Sequence, residues 1–247
     1  MKEGLKKMKL SKLLRRVVKS VFSRNAAQRA PSTGSINFGD FRRLTPFSRH
    51  FGFDRGGPVD RYYIENFLAQ NASDIQGRVL EIKDAYYTER YGQERVTQSD
   101  ILDIDKDNPL ATIIEDLATA HNIPSDTYDC VILTQTLLLI YDVKAAMAHT
   151  HRILKPGGIM LATVPGIVQM DYKALGDTWY WSFTAASCNK LCKEFFADHQ
   201  VEVTYHGNVL ASAAQLFGVS AKELRKEELD HLDPDYQMLI TMRAVKK

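Results

Sequence analysis

The stretch "YDCVILTQTLLLIYDVKAAMAHTHRILKPGGIMLATVP", Tyr128 to Pro165, decides the fold. It opens on "YDCVILTQT", an apolar run suited to a strand buried on both faces. "KAAMAHTHRIL" follows with helical spacing of apolar residues, and "GIMLATVP" is a second apolar run of strand length. Between them "KPGG" stops the helix and makes a tight turn, with Pro156 fixing φ and Gly157 free to take φ > 0. A buried strand, a helix and another buried strand make one parallel βαβ step.

Working outward, the alternation continues. Toward the N-terminus the sequence predicts strands at Arg78–Ile82, Arg95–Ile101 and Ala111–Ile114. A helix is expected from Pro58, with Tyr62, Tyr63, Ile64, Phe67 and Leu68 as its apolar contacts. Toward the C-terminus, "SCNKLCKEFF" reads as a helix capped by Thr184, and "VEVTYHG" and "DYQMLITMRAV" as two further strands. One or two helices lie between those strands, in "ASAAQLFGVSAKELRKEEL". The expected fold is α/β: a mostly parallel sheet with an antiparallel C-terminal edge pair and helices on both faces.

The ends differ in character. Met1–Arg24 carries nine Lys/Arg against one Glu, which leaves the rest of the chain at −6 within a net charge of +2. In that segment Leu10, Leu13, Leu14, Val17, Val18, Val21 and Phe22 share one helical stripe. Such a helix either lies in an anionic membrane surface or packs on the domain or a partner chain. Its charges are not interleaved with stacking aromatics, which argues against nucleic acid. Residues 1–24 are expected as this basic helix, 25–35 as a linker, 36–76 as an N-terminal cap segment and 77–247 as the main domain. Cys130, Cys188 and Cys192 form neither a disulfide framework nor a metal-ligand pattern, and are expected as reduced thiols of a cytoplasmic protein.

In an open parallel sheet, ligands bind beyond the C-terminal ends of the strands. The residues there are Lys83, Asp84 and Tyr86 after the first strand, Asp100 at the second, "EDL" at 115–117, Thr134–Thr136, and Pro165 with Gly166. This string, together with "HRILKPGG", resembles the class I S-adenosylmethionine-dependent methyltransferases from Gly77 to Gly166. The flanks "FGDFRRLTPFSRHFGFDRGGPVDRYYIENFL" and "ELDHLDPDYQMLITMRAV" are similar to a bacterial subgroup found alone or fused to glycosyltransferases in polysaccharide clusters.

The resemblance implies S-adenosylmethionine as cofactor and gives roles by position. Glu81 and Asp84 fall near its amino acid end, and Asp100 at the ribose hydroxyls. Asp116 and the Leu117 N–H fall at adenine, and Gln135 beside the sulfonium. Three departures accompany it: Lys83 replaces the first loop glycine, Leu138–Leu139 stand where many relatives carry Glu-His, and Ser182 stands where they carry Arg. Arg55, Arg61, Tyr62 and Tyr63 are candidates to hold the cofactor carboxylate in place of that loop; Arg55 and Arg61 are equally matched to salt bridges with Asp54 or Asp60. Lys83 either crowds the loop or pairs with the same carboxylate.

The reaction implied is methylation of a sugar hydroxyl in a glycan or lipid-linked precursor. A glycosyltransferase is an implied partner, and a non-catalytic module that docks on such an enzyme is the alternative. Trp179, Tyr180 and Trp181 are candidates for a sugar platform. Asp171, Asp177 and His206 are the candidate bases, while His121, His149 and His151 read as non-catalytic. No residue is assigned as catalytic and no metal is expected.

Overall fold

The structure, a computed structural model, describes residues 31–247, so the basic helix of 1–24 and residues 25–30 of the linker lie outside the described residues. The contacts divide the chain at Leu44. Of the first unit, Gly39–Phe41 forms a 3-10 turn and the Arg42 guanidinium sits 4.9 Å over the Phe38 ring. Thr45–Lys247 forms the second unit, so the boundary falls inside the expected cap segment of 36–76.

The second unit is built on seven strands: β1 Gly77–Ile82, β2 Val96–Asp103, β3 Ile113–Ile114, β4 Tyr128–Thr134, β5 Leu154–Pro165, β6 Val201–His206 and β7 Leu239–Val245. Their order is β3-β2-β1-β4-β5-β7-β6. The first five run parallel, and β7 is antiparallel to both β5 and β6. The α/β sheet with an antiparallel C-terminal pair is thus as the apolar runs predicted.

The two-residue period of the strands separates two cores. Leu80, Val131, Leu133, Met160, Ala162 and Met242 face one. Val79, Cys130, Ile132, Leu161 and Leu239 face the other. The helices are α1 Val59–Gln70, α2 Val143–Ile153, α3 Tyr172–Leu175, α4 Ala185–Lys193, α5 Val209–Phe217 and α6 Lys226–Asp230. Helices α2 and α4 cover the first core through Ala146, Met147, Ile153, Cys188, Leu191 and Cys192. Helices α1 and α5 cover the second through Val59, Tyr63, Ile64, Phe67, Leu68, Ala211 and Ala214.

Helices α2, α4 and α5 start where a side chain accepts one of the first free N–H groups. Pro58 is the extended residue before α1. Asp142 accepts the Ala145 N–H at 3.0 Å for α2, and Asn208 accepts the Ala211 N–H at 3.0 Å for α5. Thr184 caps α4, as its sequence predicted, and Ser187 caps back in return. All three cysteines are buried and unpaired, and burial pushes the Cys188 and Cys192 thiols up to about 12. Among the described residues no helix is long and apolar enough to cross a membrane.

Two boundaries moved. The "KPGG" turn is not a break between helix and strand but part of β5. Tyr128 pairs with Leu154 and Cys130 with Ile159, so the intervening residues bulge outward. Gly157 takes φ 82 there and its N–H reaches the Lys246 carbonyl at 2.8 Å. The second shift changes the site. Strand β2 does not end near Asp100 but continues to Asp103, because Leu102 pairs with Ile82 at the top of β1 and is buried.

Candidate functional site

Between β1 and β4 the strand order reverses direction, the position where open parallel sheets leave a crevice. A cavity of about 1140 Å³ opens there, beyond the C-terminal ends of β1, β2 and β4. The residue after β1 and the residue after β4 share an unusual backbone: Lys83 has φ 74 and Gln135 has φ 52. Both are in the left-handed region, which costs a side-chain-bearing residue of order 1 kcal/mol or more and concentrates at functional sites. The loop therefore keeps a shape glycine would adopt freely, although no glycine is present. Hydrogen bonds enforce it: the Lys83 N–H donates to the Leu102 carbonyl at 2.9 Å, and the Asn108 amide donates to the Lys83 carbonyl at 2.8 Å. The Gln135 N–H donates to the Thr163 carbonyl at 2.9 Å.

Glu81, the last acidic residue of β1, is 2 % exposed and braces the next turn. Its carboxylate accepts from the Tyr87 N–H (3.1 Å), the Thr88 N–H (2.7 Å) and the Thr88 hydroxyl (2.7 Å). Burial pushes its carboxyl up to about 7 against the pull of those donors. Asp84 is exposed at the rim, and its Oδ1 accepts the Tyr86 N–H at 3.0 Å.

Asp100 does not line the cavity. It lies inside the sheet opposite Leu80, and its carboxylate is taken by Arg78 Nε at 2.7 Å and by the Gln98 amide at 3.2 Å. The lining acids past β2 are Asp103 and Asp105. Asp103 accepts the Asp105 N–H at 3.0 Å and the Asn108 amide at 2.7 Å. Partial burial opposes ionisation, but these donors and the Lys83 charge hold its carboxyl below the ordinary carboxylate range. Asp103 was legible as the next acid in "DILDID"; what the sequence lacked was the end of the strand.

Asp116 is exposed on the wall and caps the turn Leu117–Thr119, its Oδ1 accepting the Ala118 N–H at 2.8 Å; Leu117 beside it is buried. From the opposite side, α1 brings Arg61 and Tyr62. Arg61 donates to the Tyr87 hydroxyl, and its guanidinium lies 5.6 Å from the Tyr87 ring centre and 5.5 Å from that of Phe53. The Tyr62 hydroxyl donates to Asp230 at 2.5 Å. Arg55 is not in the lining; it pairs with Glu223 at 2.6 Å, a partner far away in sequence, and not with Asp54.

Tyr141 and Tyr180 line the cavity and meet edge-on at 5.4 Å; Trp181, outside the lining, stacks on Tyr141 at 6.1 Å. Trp179 turns away from this group to stack on Phe51 at 6.4 Å. Tyr141, absent from the expected platform, is the ring that joins the other two. Asp171, Asp177 and His206 are not in the lining. His206 instead lines a second cavity of about 360 Å³ and stacks on Tyr63 at 5.5 Å.

The cavity is thus acceptor-rich at its acidic end and aromatic at its other, and among the described residues its walls carry no nucleophile activated by a neighbouring base. It can hold a polar, hydroxyl-bearing ligand and a second molecule at the aromatic end.

A family model described as a methyltransferase domain matches residues 47–201. No curated protein matches the sequence. Among solved structures, a SAM-dependent methyltransferase from Archaeoglobus fulgidus is similar with a TM-score of 0.52 at 13% identity, covering 81% of this chain and 100% of that one. A putative S-adenosylmethionine-dependent methyltransferase from Listeria monocytogenes has a TM-score of 0.49 at 10% identity, covering 76% and 98%. The N-methyltransferase NodS from Bradyrhizobium japonicum, in complex with S-adenosylhomocysteine, has 0.49 at 13% identity, covering 77% and 89%. At 13% identity the likeness to the Archaeoglobus fulgidus structure concerns the fold alone.

Proposed function

We propose, because this chain belongs to the methyltransferase-domain family, that it transfers a methyl group from S-adenosylmethionine to a hydroxyl of a sugar, in a glycan or a lipid-linked precursor. The observation that carries the cofactor reading is the pair of left-handed residues, Lys83 and Gln135, flanking the cavity at the switch point. A strained backbone held by hydrogen bonds on adjacent strands is what a preorganised ligand site requires.

The residues fit the cofactor's chemistry. Ribose hydroxyls are donors, and Asp103 is an ionised acceptor at the end of β2, taking the role the sequence had suggested for Asp100. Asp116 and the Leu117 N–H serve the adenine edge, which has both donors and acceptors. Lys83 and Arg61 are the cations available to the carboxylate of the amino acid end, and Asp84 is the anion available to its ammonium. Bound there, the cofactor supplies an already activated methyl group. The chain's own task is to align it with the acceptor and keep water out, and so it needs no nucleophile of its own.

Sugar as the acceptor is supported by the rings of Tyr141, Tyr180 and Trp181, whose apolar faces suit the C–H face of a pyranose. The basic residues of 1–24 support work at an anionic membrane surface, where lipid-linked precursors and a partner glycosyltransferase are found. Calorimetric titration with S-adenosylmethionine, followed by transfer of label from the methyl-labelled cofactor to isolated glycan and lipid-linked oligosaccharide, tests both parts. Micromolar binding with label in a sugar fraction is the expected result. No binding at millimolar cofactor leaves a non-catalytic docking module instead. Liposome co-sedimentation of the full chain and of a chain starting at Ser35 tests the membrane part, and equal sedimentation removes it.

A further inference from the structure

Two loops meet at the aromatic end of the cavity: residues 135–142 after β4 and residues 166–184 after β5. Hydrogen bonds tie them together. The Tyr180 and Trp181 N–H groups both donate to the Leu138 carbonyl, at 2.9 and 3.3 Å, and Trp181 Nε1 donates to the Ile140 carbonyl at 3.0 Å. The Tyr141 ring is thereby held between two others, Tyr180 edge-on and Trp181 stacked at an interplanar angle of 25°. Tyr141 and Tyr180 line the cavity, while Trp181 does not. This end is therefore preorganised, and little ordering remains to be done when a ligand arrives.

The next residue, Asp142, also lines the cavity, and it is the one charged side chain that these two loops give to the lining. Its Oδ1 caps α2 by accepting the Ala145 N–H at 3.0 Å. Among the described residues Oδ2 takes no hydrogen bond and no ion pair. The first cation of α2, Lys144, is held by Glu194 at 2.7 Å. A carboxylate accepts and does not donate, so Oδ2 selects a ligand with donors and repels one with an acid group. The two rings select an apolar face. A neutral pyranose offers both, with C–H groups on its face and hydroxyl donors around its edge.

We propose that Asp142 and Trp181 set the acceptor specificity of this site. Asp142 Oδ2 accepts hydroxyls of a neutral sugar seated against Tyr141 and Tyr180, and Trp181 is a positioning residue that fixes Tyr141 from outside the cavity. This rests on the reading that the acceptor is a sugar. Uncharged rings are taken, and rings bearing a carboxylate are turned away.

Two acceptors that differ at the exocyclic carbon test this: methyl glucopyranoside, with a hydroxyl there, and methyl glucopyranosiduronate, with a carboxylate. Transfer of labelled methyl from S-adenosylmethionine to each is followed with the full-length protein, and cofactor affinity is measured alongside. Wild-type protein is expected to prefer the neutral ring about 10-fold in kcat/KM. Asp142→Asn keeps the helix cap and removes the charge. It is expected to raise KM for the neutral ring about 10-fold and to abolish the preference, with cofactor affinity unchanged. Trp181→Ala is expected to raise KM for both rings by the same factor, about 3- to 10-fold, with the preference and cofactor affinity kept. Trp181→Phe, which keeps a stacking ring, should recover part of that loss. A preference that survives in Asp142→Asn, or is absent from wild-type protein, overturns the role of Asp142. A Trp181→Ala protein whose cofactor affinity falls along with its acceptor KM overturns the positioning role. Should Asp142→Asn fail to fold, Asp142→Ser, which also caps a helix, gives the same comparison. Transfer to neither ring by a protein that binds S-adenosylmethionine overturns the sugar reading and this proposal with it, whereas the other failures leave that reading standing.

Discussion

Lys83 carries a side chain at φ 74, where a β-carbon crowds the backbone. Replacing it with glycine removes that crowding at the cost of a more flexible unfolded chain. Lys83→Gly is therefore expected to gain about 0.5–1 kcal/mol of stability in urea unfolding, whereas Lys83→Ala, which keeps the β-carbon, gains nothing. Glu81 gives a pH dependence whose sign follows from its raised carboxyl. It titrates near 7 in the folded protein against an ordinary value of 4.5. Between these values the native state holds the extra proton, so this group's contribution to stability falls as pH rises from about 4.5 to about 7. The loss amounts to at most about 3 kcal/mol and does not grow above that window. Glu81→Gln should abolish this slope. It should also cost about 1–3 kcal/mol, because an amide N–H then faces the Tyr87 and Thr88 donors. Chemical denaturation of both proteins from pH 4.5 to 8 measures the two effects together.

At the scale of elements, β2 shows what a single chain pattern can and cannot convey. Asp100 and Asp103 look alike in "SDILDID", and only pairing with β1 decides which one is inside the sheet and which ends it. Two substitutions separate them. Asp100→Asn leaves Arg78 without its carboxylate and is expected to destabilise by about 1–2 kcal/mol, since the pair is partly solvent-screened, with cofactor affinity unchanged. Asp103→Asn is expected to weaken S-adenosylmethionine binding about 10-fold with little change in stability. Helix positions were easier to read than this strand end. Thr184 and the apolar stripe of α1 are local features, satisfied within a few residues of where they are written.

The whole molecule depends on β7, the last strand in the sequence, inserting between β5 and β6. Its arrival brings the Gln237 carbonyl against Gly166: a β-carbon at 166 would sit 2.0 Å from that oxygen. Gly166→Ala should cost about 2–3 kcal/mol through this backbone clash, seen as a lowered urea midpoint at unchanged slope. The same closure places α1, through its packing on the second core, over the end of β4. In this way Asp60 comes to face Gln135, 75 residues further along the chain.

The local sequence by itself determined the alternation of strands and helices, the capped helix starts, the "KPGG" bend and the apolar faces. Each of these depends on residue spacing and on hydrogen bonds a few residues long. It also marked the cavity wall at Lys83, Asp84, Asp116 and Gln135, because strand ends were visible as the end of apolar runs. Tertiary structure alone decided the rest: that β2 runs on to Asp103, that Arg55 pairs with Glu223, that Tyr141 joins Tyr180 and Trp181, and that Asp60 reaches Gln135. Those outcomes depend on which strands pair and which faces of the sheet are covered, and a linear pattern does not contain that partner choice.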